Sequence, residues 1–327
     1  MSQRSTIAAF VALLCGVSAS PASAQTAAAT AYPTRVIRMV VPYPPGGVAN
    51  IVARILSERL SATWGQNVVV DNRPGANGIT GTAVVAKAAP DGYTIGLVLA
   101  THAINPLLYR DMPFDTNKDF APITLIAEYP LLLVVNPAFP AATLQEFIDR
   151  AKAQPGKITF ASSGNGSGPH LAIELLNTKA GINLLHVPYK GGGLAITDVV
   201  AGHVNAFFSS LLTAQSMVQA NRLRVLAVTS RERSSVLPNV PAIAETVPGF
   251  SVTGWLGLVA PAGTPAPIVA KIQTTVSGLT ADSAVRDKLS AEGAEPRRST
   301  PAEFAAFLRT ERDKFTSIIK AGNIKLD

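Results

Sequence analysis

Three segments of this chain combine glycines, hydroxyl residues and a following helix in the order that builds small anion sites. The first is Pro42-Tyr43-Pro44-Pro45-Gly46-Gly47-Val48-Ala49-Asn50, after the apolar run Val36 to Val41. The second is Ser162-Ser163-Gly164-Asn165-Gly166-Ser167-Gly168-Pro169, running into His170. The third is Pro188-Tyr189-Lys190-Gly191-Gly192-Gly193. Glycine lets backbone approach a ligand closely, and the first-turn N–H groups of the helix that follows have no partner of their own, so each loop offers donors at a positive helix end. Each is a plain turn if taken alone. Together they put several amides within reach of one anionic group. A bond from a backbone N–H to a charged acceptor is worth about 1.5 to 3 kcal/mol, and four or five exceed the roughly 8 kcal/mol of a micromolar complex.

Catalytic and cofactor readings find less support. Gly164 to Gly168 reads Gly-Asn-Gly-Ser-Gly, which displaces the serine of a nucleophile elbow. Gly75 to Thr82 lacks the lysine a phosphate loop needs before Thr82, and no Gly-x-Gly-x-x-Gly follows the first strand. His102, His170, His186 and His203 do not fall at metal-ligand spacing. No cofactor and no metal are therefore expected. Each histidine reads as a core or rim residue, with His170 the nearest to a loop. Lys190 is either a solvated rim residue or a carboxylate partner, and Trp255 and Phe250 either wall a cleft or fill a core.

The elements that must position these loops alternate along the chain. Strands are expected at Val36 to Val41, Val68 to Val70, Thr94 to Leu99, Leu131 to Val135, Ile158 to Ala161, Leu184 to Val187, Ala206 to Phe208, Val225 to Val228 and Trp255 to Val259. Helical spacing marks Ile51 to Thr63, Thr143 to Ala153, Leu171 to Ala180, Ile196 to Ala201, Pro265 to Leu279 and Pro301 to Ala321. Such alternation makes an α/β protein with largely parallel sheets, and ligands of open α/β sheets sit beyond the carboxyl ends of the strands. At 327 residues the chain exceeds one compact sheet. Leu125 to Pro130, before a strand, and the turn-rich stretch Ser230 to Gly249 read as crossings between two lobes, 25–126 plus 249–327 and 127–248, which two strands would span. No internal repeat of fixed period is evident.

Residues 1–24 read as a secretory signal peptide, with Arg4, the apolar run Ile7 to Val17 and the small-x-small site Ala22-Ser23-Ala24; the mature chain then starts at about Gln25 outside the cytoplasm. The single cysteine, Cys15, lies within that run. The formal net charge of +7 comes with only 15% charged residues, scattered and without interleaved aromatics. That excludes a disordered polyelectrolyte and argues against a nucleic-acid partner.

The same loops carry a family resemblance. Pro44-Pro45-Gly46-Gly47, Asn72-Arg73-Pro74-Gly75-Ala76, Ala89-Pro90-Asp91-Gly92-Tyr93-Thr94, His102-Ala103-Ile104-Asn105-Pro106, Val187-Pro188-Tyr189-Lys190-Gly191 and Ala260-Pro261-Ala262-Gly263-Thr264-Pro265 resemble the Bug-type substrate-binding proteins of tripartite tricarboxylate transporters, from about Tyr32 onward. The resemblance implies a monomeric periplasmic Venus-flytrap fold (type II-like), with two mostly parallel sheets and two crossover strands. It also implies closure on a small organic carboxylate and delivery to membrane permease subunits. Implied ligand-binding residues are Tyr43, Pro44, Gly46, Gly47, Asn50, Thr101, Ser162, Ser163, Asn165, Gly166, Ser167, His170, Tyr189, Lys190, Gly191, Gly192 and Ser209. Relatives commonly carry Asp where this chain has Asn50 and Ser209; neutral groups there favour a carboxylate lacking an ammonium group. Two alternatives are a ligand-presenting sensory module for a two-component receptor and a hydrolase using Ser163 or Ser167 with His170.

Overall fold

The computed structural model describes residues 31–234, 236–291, 293–322 and 324; the signal segment 1–24 and Cys15 lie outside them. In chain order the first half of the fold is β1 (Ile37–Val41), α1 (Val48–Trp64), β2 (Val68–Asn72), a short 3₁₀ turn (Ala76–Gly78), α2 (Ile79–Ala86), β3 (Thr94–Leu99) and α3 (Thr101–Leu108). The long strand β4 (Phe120–Val135) leads into α4 (Leu144–Ala153), β5 (Thr159–Ser162), α5 (Gly168–Ala180), β6 (Leu185–Pro188), α6 (Gly192–Ala201), β7 (Ala206–Ser210), α7 (Leu211–Gln219), β8 (Arg224–Val228) and α8 (Ile243–Thr246). The chain then returns through β9 (Thr253–Pro261) to α9 (Ala266–Ala281), α10 (Ser283–Ala291), β10 (Glu295–Pro296) and α11 (Pro301–Ala321).

Local chemistry sets several of these ends. Gly65 stops α1 at φ 63° and Gly181 stops α5 at φ 62°, left-handed positions that suit a residue without Cβ. Thr143, Ser167 and Thr300 accept first-turn amides of α4, α5 and α11, and Glu303 completes a capping box for α11.

Strand pairing divides the sheet into two halves with the same internal order. In one half the neighbours run β2-β1-β3-β9-β4; in the other they run β6-β5-β7-β4-β8. The outer strands of each half are parallel, and the strand arriving from the other half pairs antiparallel beside them. This is the expected arrangement, with β4 and β9 as the crossover strands. The first crossing lies inside a strand: the strand expected from Leu131 begins at Phe120 and runs unbroken through Pro130. Its residues are buried almost throughout, because neighbours cover both edges and helices cover both faces. Alternation shows only in which core each side chain enters: Leu131, Leu133 and Val135 join one apolar cluster, while Leu132 and Val134 join another with Phe207, Ala195 and Val199.

Chain direction then decides where the loops point. β3 runs parallel to β4, because each is antiparallel to β9, and β1 and β2 follow β3; β7 runs against β4, and β5 and β6 follow β7. The carboxyl ends of the two parallel sets therefore face each other along β4. Leu99, at the end of β3, is level through Leu256 with Ala127, and Ser210, at the end of β7, pairs with Leu131. Four residues of strand, roughly 13 Å, separate those two levels.

Candidate functional site

Five helices, α1 and α3 from one half and α5, α6 and α7 from the other, begin at strand ends directed into this gap. Three of them, α1, α3 and α6, have no side-chain cap on their first-turn amides. Uncapped amides with no carbonyl partner are where an anion gains most.

In the first half, the Tyr43 hydroxyl lies 2.5 Å from Thr101 Oγ1, and burial pushes it up to about 12, so it is a neutral phenol at physiological pH. The loop behind it is built by amide side chains. Asn72 donates to the Tyr43 carbonyl at 2.9 Å and accepts from Asn50 Nδ2 at 2.9 Å, while Asn50 Oδ1 accepts from Arg54 at 3.3 Å and from the Gly46 amide at 3.4 Å. Pro44 and Gly46 are exposed and Gly47 is half-buried at the mouth of α1. Asn50 and Thr101 are buried, so Asn50 shapes the loop from behind through the Gly46 amide, while the Gly47 and Val48 amides meet no acceptor among the described residues.

In the second half, Ser162 is buried, with Oγ 2.6 Å from His186 Nε2 and accepting the Gly164 amide at 3.1 Å. Ser167 caps α5 by accepting the His170 amide, and His170 Nδ1 accepts the Gly166 amide at 3.0 Å. Ser163 is half-buried and Asn165 exposed, and their amides meet no acceptor among the described residues. Tyr189 donates from its hydroxyl to Asp198 Oδ2 at 2.6 Å; burial and that carboxylate raise the phenol to about 12. Gly191 and Gly192 open α6, and Lys190 is exposed, without a partner among the described residues. Ser209 is buried and donates to the Ser210 carbonyl at 3.1 Å.

The structure thus gathers Tyr43, Gly46, Gly47 and Thr101 in one wall, and Ser163, Asn165, Tyr189, Lys190, Gly191 and Gly192 in the other. It places Asn50, Ser162, Gly166, Ser167, His170 and Ser209 behind these surfaces as supports. Four supporting residues escaped the sequence reading. Asn72 lies within a quoted motif. Tyr129, on β4, is near enough to Tyr43 for the two phenols to influence each other, and burial raises its own phenol. His186 and Asp198 brace the second wall, and only the fold brings them there. Trp255 and Phe250 are fully buried core residues.

A separate groove of about 250 Å³ lies at the crossings, lined by Tyr129, Pro130, Ser230, Arg231 and Arg297 among others, and it contains no predicted site residue. Arg297 is already engaged there by Glu128 at 2.5 Å and Glu295 at 3.2 Å.

The hydrolase alternative needs a serine hydroxyl beside a free imidazole nitrogen. Ser167 Oγ meets only the His170 main chain, the His170 Nδ1 lone pair is taken by Gly166, and Ser162, which does touch a histidine, is sealed from the gap. No helix among the described residues is long and apolar enough to cross a membrane, and no cluster of His, Cys, Asp or Glu among them has metal-binding geometry.

Residues 52–324 match the TctC family, tripartite tricarboxylate transporter family receptor. The chain is 35% identical over 311 residues to Protein BugT of Bordetella pertussis, covering 94% of each. Among solved structures it resembles R. palustris Rpa4515 with adipate, at 35% identity and TM-score 0.87, covering 90% of this chain and 99% of that one. It also resembles MatC from Rhodopseudomonas palustris with bound malate, at 32% identity and TM-score 0.81, covering 88% and 100%.

Proposed function

The chain belongs to the tripartite tricarboxylate transporter receptor family, and we propose that it captures a small organic carboxylate in the periplasm and presents it to membrane permease subunits, without catalysis. The observation that carries this reading is the opposition of two sets of uncapped amides across a gap whose walls, among the described residues, hold neutral hydroxyls and Lys190 but no free carboxylate. The solved relatives with adipate and malate support the same ligand class. In this reading the lobes are 25–126 with 249–327 and 127–248, and they close about β4 and β9.

Wall chemistry narrows the ligand. Asp198, the acidic side chain nearest the second wall, is engaged by Tyr189, and the first wall has Asn50 and Asn72 in amide form. An ammonium group would find no unengaged carboxylate here, so carboxylic acids without an amine are favoured over amino acids.

Thermal unfolding against a panel of aliphatic and aromatic mono- and dicarboxylic acids and amino acids tests the reading. At about 100 times its dissociation constant the correct acid adds roughly 2.7 kcal/mol to stability. Stabilisation by an amino acid and by none of the simple acids would refute it.

A further inference from the structure

Behind the second wall two histidine rings lie face to face. His170, in the first turn of α5, and His186, on β6, are stacked with centroids 4.0 Å apart and planes within 13°. Each holds one part of the glycine loop. His170 Nδ1 accepts the Gly166 amide at 3.0 Å, and His186 Nε2 is 2.6 Å from Ser162 Oγ, which accepts the Gly164 amide at 3.1 Å. Gly164 and Gly166 have φ of 130° and 72°, so the loop between them follows a path that needs fixing by side chains.

We propose that the His170–His186 stack is a clasp that positions the 163–167 loop for its ligand, drawing the Gly164 and Gly166 amides inward and leaving those of Ser163 and Asn165 for the carboxylate. The proposal rests on the carboxylate-capture reading and extends it to residues that touch no ligand: both histidines are positioning residues.

Protonation state decides whether the His170 half of the clasp holds, since Nδ1 accepts the Gly166 amide only when it carries no proton. Burial lowers both histidines to about 4, and for His170 the neighbouring His186 adds to the effect. A carboxyl group beside the pair is Glu174, one turn along α5, with Oε1 3.8 Å from His170 Nε2; burial raises its pKa, so on acidification it takes up a proton earlier than an exposed glutamate and then no longer supports a charged His170. The clasp is therefore closed at neutral pH and opens as pH falls toward about 4.

His170→Ala removes the acceptor, whereas His170→Asn puts an amide oxygen near the Nδ1 position. Two readouts apply to each folded variant: calorimetric affinity for adipate, and hydrogen exchange of the Gly166 amide. His170→Ala is expected to lose about tenfold in affinity at pH 7 and to exchange Gly166 about tenfold faster, with His170→Asn close to wild type on both. Wild-type affinity falls more steeply between pH 6 and 4 than that of His170→Asn, which shares only the losses from protonation of adipate itself and of His186. Unchanged affinity and exchange in His170→Ala, or His170→Asn behaving like His170→Ala, overturns the clasp. If His170→Ala does not fold, the pH comparison of wild type with His170→Asn decides. If wild type binds neither adipate nor any other acid of the panel, the carboxylate reading fails, and Gly166 exchange still decides the clasp.

Discussion

Replacing Val48 by proline is expected to weaken ligand binding about tenfold to a hundredfold while leaving the fold intact. Val48 is the first residue of α1, and its amide has no acceptor: the first bonds of that helix run from Asn50 and Ile51 to the Gly47 carbonyl. Proline is favoured at this helical position because the N–H it removes is unpaired and its fixed φ already suits the helix. The preceding Gly47, at φ −87° and ψ 169°, occupies the extended region a residue before proline prefers. The substitution thus deletes one amide aimed into the gap and little else. A charge-assisted bond of about 1.5 to 3 kcal/mol converts to that range of affinity. Val48→Ala, which keeps the N–H, controls for the lost side chain. Calorimetry showing equal affinity for Val48→Pro and wild type would remove the helix-end amides from the account.

Trp255→Ala is expected to cost about 3 to 5 kcal/mol of stability, the range for deleting a large aromatic from a packed core. The ring is fully buried, with Phe307 edge-on at 5.4 Å and Phe304 at 6.1 Å. Its Nε1 donates at 2.9 Å to Glu311, a buried carboxylate whose other partner is Lys314. Truncation opens a cavity on β9 just past the crossing and leaves Glu311 with one partner fewer, so two penalties add. Urea unfolding measures the loss. A change below about 1 kcal/mol would place Trp255 in a site that repacks freely, contrary to the packing described.

Much of this arrangement is legible in the sequence, for reasons that differ by element. The strand and helix pattern shows wherever apolar runs are punctuated by glycine or proline, as at Val41 to Gly47 or Ala161 to Pro169. The loops that meet across the gap stand out because glycine clusters are conspicuous. The 120–135 strand shows only from Leu131: Leu125 to Pro130 reads as a crossing, yet it is part of the strand, whose pairing with β9 shifts register between Pro122 and Thr124 and again between Leu125 and Ala127, so the strand absorbs its irregularities. Helices α2, α3, α7 and α10 are hidden for a related reason. They are short, and α3 carries Pro106 inside, so their periodicity is weak beside tertiary contact.

The division of labour inside the site is the least legible feature. Asn50, Gly166, His170 and Ser209 have the chemistry of ligand contacts, but the fold turns them to support the loops. Whether a polar residue faces solvent or a neighbouring amide depends on partners distant in sequence. Asn72 lies 22 residues from Asn50, and His186 lies 24 from Ser162.

The account stands on both walls gripping a single head group, and a crystal structure of the mature chain with its acid addresses that directly. The structure predicts one ligand carboxylate within about 2.7 to 3.2 Å, directly or through one water, of donors from both the 43–48 loop and the 163–167 loop. A ligand held by only one of them, or lodged in the groove beside Arg231 and Arg297, would contradict it.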